Sequence, residues 1–322
     1  MQTAAEILCL PDSTLEKMAI PPREVADAIE AAITRKAAGV LHTSPKAAIL
    51  PGAGRYMMST LAVGNDEGLT VLKQVSVSPD NPGRGLPAIN GAIMVLDAET
   101  GLLKAVLGAN WITAVRTAAL SVVAARRLAD PESAIIAFVG TGIQASSHLA
   151  AFADIFPLNE IRAFGRGRTN LDRLCDEART MGLRATACDR AEQALRDADL
   201  VVSSVTLDYS IQPFLDAGWL KPGAFAAITD LGIPWHQHSM AAFGTVVIDD
   251  RDQENDSERK MLPPALVQAD LTELIGGQVS LVPDPDRPSC FAFRGMALGD
   301  YAATALTLRY AEKHGYGQRV AF

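Results

Sequence analysis

The chain has 322 residues, 48% apolar and 20% charged, a soluble globular composition long enough for two domains. Its net charge of −8, from 29 basic and 37 acidic residues, and the lack of any basic block argue against a nucleic-acid partner, and no apolar run reaches the roughly 18 residues that span a bilayer. The start, "MQTAAEILCLPDS", has neither the basic beginning nor the apolar middle of a signal peptide, and Cys9, Cys175, Cys188 and Cys290 lack metal-ligand spacing, so no metal is expected and the cysteines read as free thiols in a reducing cytoplasm.

Residues 1–45 carry helical signals: "PPREVADAIEAAITRKAAGV" starts on prolines, repeats apolar residues at helical spacing and stops near Gly39. The period then changes. "GRYMMSTLAVG", "LTVLKQVSVSP" and "GAIMVLDAETGLLKAVLGA" read as strands, with "DAETG" a hairpin turn and "SPDNPGRGLP" a loop. "NWITAVRTAALSVVAARRLA" is a long alanine-rich helix. From residue 133 strands and helices alternate: "SAIIAFVG", "QASSHLAAFADIF", "EIRAFGR", "RTNLDRLCDEARTMG", "LRATACD", "RAEQALRDA" and "DLVVSSVT". "GAFAAITDLG" and "GTVVIDD" are further strands, "DRDQENDSERKMLPP" is a charged connection, and "GMALGDYAATALTLRYAEKHG" is a last helix. Such alternation predicts an α/β fold with a doubly wound parallel sheet. The flanking chain does not belong to that sheet. The simplest architecture is a Rossmann cofactor domain, residues 119–296, inserted into an α+β substrate domain formed by 1–118 with 297–322, to which the resemblance given below adds dimerisation.

In "AFVGTGIQA", Gly140, Gly142 and Ala145 match G-x-G-x-x-A after a strand and before a helix. The first glycine permits a tight turn, the second lets a pyrophosphate approach the backbone, and Ala145 lets helix and strand pack closely. The candidate cofactor residues are therefore Gly140, Thr141, Gly142, Ile143 and Gln144, joined by Thr206 and Asp230 at later strand ends. An NAD site usually carries an acid after the second strand, but "IRAFGRGRTN" has Gly165 there, followed by Arg166. An arginine suits a 2′-phosphate, which favours NADP(H) and leaves NAD(H) open, against the alternative of a solvated Arg166–Arg168 pair.

Four charged residues stand in costly places. Lys73 shares one face of a strand with Val71, Val75 and Val77, and so either guards a sheet edge or enters a pocket. Arg116 lies in an apolar helix, where it either snorkels to water or points inward. Asp230 ends a strand at the crevice side of the sheet, or caps the turn that follows. Arg55 before its strand is uninformative alone.

The stretches "LKQVSV", "GLLKAVLGANWITAVRTAALSVVAARRL", "FVGTGIQASSHL", "ADLVVSSVT", "WLKPGAFAAI" and "GMALGD" resemble the ornithine cyclodeaminase/mu-crystallin family over almost the whole chain, most specifically in "ITAVRTAA" before "GTGIQA". The resemblance implies a homodimer, an inserted Rossmann domain, NAD(H) or NADP(H), and a small amino or imino acid substrate. It carries a substrate-carboxylate arginine onto Arg55, a pocket lysine onto Lys73 and a helix arginine onto Arg116, and it matches Asp300 to the acid of the G-M-A-x-x-D stretch. It departs at "AAITDLGIPWHQH", where an ungapped match puts Leu231 at the family's catalytic aspartate and Asp230 one residue early.

The expected reaction is reduction of a 2-imino acid to an L-amino acid. Arg55 and Arg116 hold the carboxylate, Lys73 passes a proton or polarises the substrate, and Asp230 is a second proton-handling group. Arg55, Lys73, Arg84 and Arg116, with Arg294, outnumber the acids of the substrate-side stretches, which points to iminosuccinate before pyrroline-2-carboxylate or an alanine-type substrate. The alternatives are an ornithine cyclodeaminase and a non-catalytic NADPH or small-ligand binder of the crystallin kind.

Overall fold

The computed structural model describes residues 6–322; residues 1–5, the start of the segment read as helical, lie outside the described residues. The chain divides into two units: one runs up to Arg116 and resumes at Met296–Phe322, and the other is Thr117–Gly295.

The first unit is built on an 8-stranded sheet. Its strands are β1 (Glu6–Leu10), β2 (Leu41–Thr43), β3 (Ala47–Gly52), β4 (Arg55–Gly64), β5 (Leu69–Val77), β6 (Ile89–Asp97), β7 (Leu103–Gly108) and β16 (Gln318–Ala321). The order is β16-β1-β7-β6-β5-β4-β2, with β3 also on β4, and every neighbour is antiparallel except β1 on β7. Along β4–β6 the side chains alternate between faces. Thr60, Ala62, Val71, Lys73, Val75, Ile93 and Val95 are buried. On the opposite face Leu61, Leu72, Met94 and Val106 stand in register across four strands, with Leu61 and Met94 exposed.

Helices α1 (Asp12–Lys17), α2 (Pro22–Ala37) and α9 (Ala297–His314) complete this unit, with α9 lying against α2, β4 and β5. Helix α2 starts on Pro22 and buries Val25, Ala26, Ile29, Ala32 and Ile33, the stripe its apolar spacing dictates. Helix α3 (Asn110–Leu128) carries Arg116, the last residue of the first segment.

The second unit is a parallel Rossmann sheet. Strands β8 (Ile135–Val139), β9 (Glu160–Phe164), β10 (Arg184–Ala187), β11 (Leu200–Ser203), β12 (Phe225–Ile228), β13 (Thr245–Ile248), β14 (Ala269–Asp270) and β15 (Ser289–Ala292) are connected through α4 (Ile143–Ile155), α5 (Arg168–Thr180), α6 (Ala191–Leu195), α7 (Arg251–Asp256) and α8 (Leu271–Ile275). Their order, β10-β9-β8-β11-β12-β15-β13-β14, reverses direction of growth between β8 and β11. Ligands of such sheets bind beyond the carboxyl ends of the strands at that reversal. No helix among the described residues is long and apolar enough to cross a membrane.

Several elements differ from the sequence reading. The first 45 residues hold β1 and β2 as well as helices, and "HTSPKAAILPG" forms strand structure. β1 exists because β7 and β16 pair with it, contacts made far along the chain. The charged connection contains α7, and β15, a four-residue strand, enters between β12 and β13 as a fully buried filler. So short a run has no readable period.

Candidate active site

In the first unit, Thr60 and Lys73 are cross-strand partners on β4 and β5, projecting toward the face that α9 covers. Lys73 is 1% exposed, Asp300 in the first turn of α9 is 1%, and Arg116 is 6%. Asp300 Oδ1 pairs with Lys73 Nζ at 2.5 Å and with Arg116 Nε at 3.0 Å, while Oδ2 accepts from Thr60 Oγ1 at 2.9 Å. Lys73 Nζ also donates to Thr113 Oγ1 at 3.4 Å. The Arg116 contact is an ion pair by distance, yet neither Nε nor the buried Nη1 makes a hydrogen bond of good geometry.

One carboxylate thus serves two buried cations. Burial pushes the Lys73 amine down to about 7, and the Arg116 and Lys46 charges add to this against the pull of Asp300. Burial alone would raise the Asp300 carboxyl; Lys73 and Arg116, with hydrogen bonds from Lys73 and Thr60, outweigh it and hold the group below its ordinary value. Two buried cations on one shared acid favour an anionic partner over a neutral one. A planar carboxylate suits the guanidinium fork of Arg116.

The sequence left Lys73 between a sheet edge and a pocket, and Arg116 between the surface and the interior. β5 is interior to the sheet, between β4 and β6, and both side chains point inward. The structure does not bring Arg55 to them. Arg55 is exposed and donates to the carbonyls of Pro51 and Gly52 at 3.3 Å, in its own β3–β4 turn. Along β4 it lies roughly 17 Å from Thr60 at about 3.3 Å per residue. The further cation whose field reaches Lys73 is Lys46, half-buried just before β3, with Nζ 5.9 Å from the Tyr56 ring centroid. Arg84 is exposed on a 3₁₀ turn, and Arg294, in the second unit, pairs with Glu254 at 2.7 Å. Sequence reasoning missed Lys46, Thr60 and Thr113, and it gave Asp300 no role. For Asp300 a signal existed: a lone acid in the apolar run "MALGDYAATAL".

In the second unit, Gly140 has φ +91°, and a Cβ there would fall 2.5 Å from the Ser204 carbonyl oxygen, so the fold itself demands glycine. Gly142 is different. Its φ is −80°, and a Cβ would meet nothing within 4 Å. Nothing in the protein calls for glycine there, and the space over the position is open. No side chain caps α4, which begins at Ile143, and Gln144 Oε1 is buried without a hydrogen-bond partner. Thr141 is buried, Ile143 exposed, and Ala145 fully buried against the sheet. These features fit a dinucleotide pyrophosphate at a helix N-terminus.

At Gly165 a Cβ would fall 2.6 Å from Thr141 Oγ1, so no acid fits that position without moving Thr141. Arg166 is exposed beside it, and its charge acts on Asp208. Thr206 is exposed in the loop after β11. Asp230, beyond β12, is 1% exposed; Oδ1 accepts from Ser203 Oγ at 3.2 Å and Oδ2 from the Val205 N–H at 3.1 Å. Burial raises its carboxyl to about 6 despite these bonds. Leu231, the other residue in the ungapped match, has left-handed backbone at φ +58° and no ionisable group.

Comparison with known proteins agrees with this fold. A ketimine reductase mu-crystallin of Mus musculus is 28% identical over 238 residues, 73% of this chain and 74% of that protein. The Δ1-pyrroline-2-carboxylate reductase of Thermococcus litoralis, solved with NADH and L-proline, superposes with a TM-score of 0.88 at 22% identity, covering 98% of this chain and 100% of that one. The iminosuccinate reductase of Paracoccus denitrificans, solved with NAD+, gives 0.84 at 20% identity over 99% and 100%. Residues 12–313 match the ornithine cyclodeaminase/mu-crystallin family, to which this chain therefore belongs.

Proposed function

We propose that the protein is an NAD(P)H-dependent reductase that converts a small 2-imino acid into an L-amino acid. The observation that carries this reading is the buried excess of cations, Lys73 and Arg116 on the single carboxylate of Asp300, with Lys46 adding to their field. A binding protein for neutral ligands has no use for such a charge. The glycine turn supports a dinucleotide, and the named relatives supply the reaction class.

The dinucleotide, when bound, supplies the hydride. Arg116 presents its unused donors to the substrate carboxylate and fixes the neighbouring carbon, an orientation worth up to about 7–11 kcal/mol of a barrier. Lys73, poised near neutrality, gives a proton to the imine nitrogen as it becomes an amine. Asp300 keeps the ammonium in place and offsets part of the cationic charge. Asp230, raised to about 6, is the candidate for a second proton transfer.

Lys46 takes the place first given to Arg55 as the further substrate cation. A substrate with a second carboxylate balances the site best, so iminosuccinate, reduced to L-aspartate, is the preferred substrate, ahead of pyrroline-2-carboxylate and iminopropionate. The absent acid at Gly165 and the presence of Arg166 favour NADPH over NADH. The apolar row Leu61, Leu72, Met94 and Val106, of which Leu61 and Met94 are exposed, supports a homodimer through the first sheet.

The test is loss of absorbance at 340 nm with a panel of 2-oxo acids plus ammonia or methylamine, run with each cofactor. Consumption with oxaloacetate and ammonia above the others supports the specific reading. Ammonia release from ornithine with no net cofactor change replaces it with a cyclodeaminase, and binding without turnover replaces it with a ligand carrier.

A further inference from the structure

In the second unit the Asp230 carboxylate is the end of a buried chain of donors. Trp235 is fully buried, with its indole Nε1 2.9 Å from Ser203 Oγ; Ser203 is also fully buried, with that same oxygen 3.2 Å from Asp230 Oδ1. The direction of these bonds is fixed by chemistry. An indole N–H can only donate, and a serine hydroxyl has a single hydrogen. With Trp235 occupying the acceptor side of Ser203 Oγ, the serine hydrogen points to Asp230. The backbone of Ser203 is held in turn, its carbonyl accepting from both the N–H and the Oγ1 of Thr229 at 2.9 Å. Trp235 is placed by the chain reversal after β12, where Leu231 and Gly232 both take left-handed backbone, and by a bridge to Leu215 and packing on Phe243.

We infer that Trp235 and Ser203 are positioning residues for Asp230: the indole sets the serine hydroxyl as a donor, and the hydroxyl holds the carboxylate oriented and receptive at its outer lone pairs. The inference rests on the proton-handling reading of Asp230. The groups acting on that carboxyl are burial, opposed by the Val205 N–H, the Ser203 hydroxyl and the backbone N–H groups of Asp230 and Gly232. A relay that only filled space would be served as well by apolar side chains, since buried polar groups are costly unless each finds a partner.

The experiment follows the indole N–H resonances of the ¹⁵N-labelled full chain through pH, with the Trp235 signal assigned by its loss in Trp235→Phe. It is expected to move with a midpoint near about 6 in the wild type, and to stay flat in Asp230→Asn and in Ser203→Ala. Ser203→Thr, which keeps the hydroxyl, restores the titration. Removing the donor to the carboxylate raises its pKa, so Ser203→Ala shifts the acidic limb of kcat/KM upward by roughly half to one pH unit, and Trp235→Phe, which frees the serine hydroxyl to turn away, shifts it the same way by less. A Trp235 resonance indifferent to pH in the wild type, or one titrating unchanged in Ser203→Ala, overturns the relay. Full turnover in Asp230→Asn instead removes the catalytic reading of Asp230 and leaves the titration standing, so the two failures are distinct.

Discussion

Lys73 on β5 and Asp300 on α9 are 227 residues apart in sequence and meet as an ion pair in which each side chain is 1% exposed. A pair so buried is weak ground for stability, because removing two charges from water costs several kcal/mol per ion before the attraction repays it. Here the repayment is further divided, since Asp300 also serves Arg116. The proposed function gives the cluster a reason to persist: an acid that holds two cations in register beside a substrate.

Asp300→Asn tests that reading through stability. It leaves Lys73 and Arg116 facing each other without a counterion, and breaking one side of a buried pair costs about 3–5 kcal/mol. Urea unfolding at neutral pH is expected to show a loss of that order. The carboxyl is held below its unfolded value, so its contribution is present above that value and fades as pH falls through the folded one. The difference between wild type and Asp300→Asn should therefore shrink in acid. An unchanged midpoint for Asp300→Asn contradicts the charge sharing.

Lys73→Met separates chemistry from folding. Turnover should fall by about 10²–10⁴-fold, the range of a lost general acid, while dinucleotide binding followed by fluorescence stays as in the wild type. The pH dependence has a definite sign. The folded pKa of about 7 lies below the reference 10.5, so between those values the native state has shed a proton that the unfolded chain keeps. Stability of the wild type relative to Lys73→Met should thus rise with pH across that window and be level below it. Full activity in Lys73→Met removes lysine from the mechanism.

How much of this was legible beforehand depended on the reach of each signal. The glycine turn, its strand and its helix are local, and the sequence displays them in order. Lys73 among valines was visible as an oddity, but whether its strand lay at an edge depends on the pairing of β4 and β6 around it. Arg116 was ambiguous for the same reason, since its partner Asp300 comes from the far end of the chain. Arg55 was named through the family resemblance, its place before a strand being uninformative alone; its Nε and Nη2 meet the carbonyls of its own turn. Lys46 lies in "TSPKAAI", which has no period to betray a direction, and β15 is too short to have one.

Gly142 and Gly140 offer a paired test of the dinucleotide turn. Gly142→Val adds a side chain in open space at an ordinary φ, so the melting temperature should hold within a degree or two, corresponding to about 0.5 kcal/mol or less. Cofactor affinity, measured by calorimetry, should drop at least roughly tenfold, a loss of about 1.4 kcal/mol. Gly140→Ala should do the reverse in emphasis: its Cβ meets the Ser204 carbonyl at 2.5 Å and its φ is left-handed, which destabilises the fold by about 1–3 kcal/mol. Equal cofactor binding by Gly142→Val and wild type places the ligand elsewhere.

Replacing Arg166 tests the choice between the two cofactors. If the 2′-phosphate is held by its guanidinium, a charge-assisted contact of about 1.5–3 kcal/mol is at stake, or roughly 10- to 150-fold in affinity. Arg166→Ser should lose that factor for NADPH and leave NADH nearly unaffected, read as the ratio of kcat/KM values for the two cofactors. The neighbouring Asp208 sharpens the expectation, because its carboxylate interacts with Arg166 and competes with a phosphate for the guanidinium. Asp208→Asn should move the ratio toward NADPH, and this gain should vanish in the Arg166→Ser background, since the two act through one charge. A ratio unmoved by Arg166→Ser makes the arginine a solvated strand-end residue and returns the choice of cofactor to other parts of the turn.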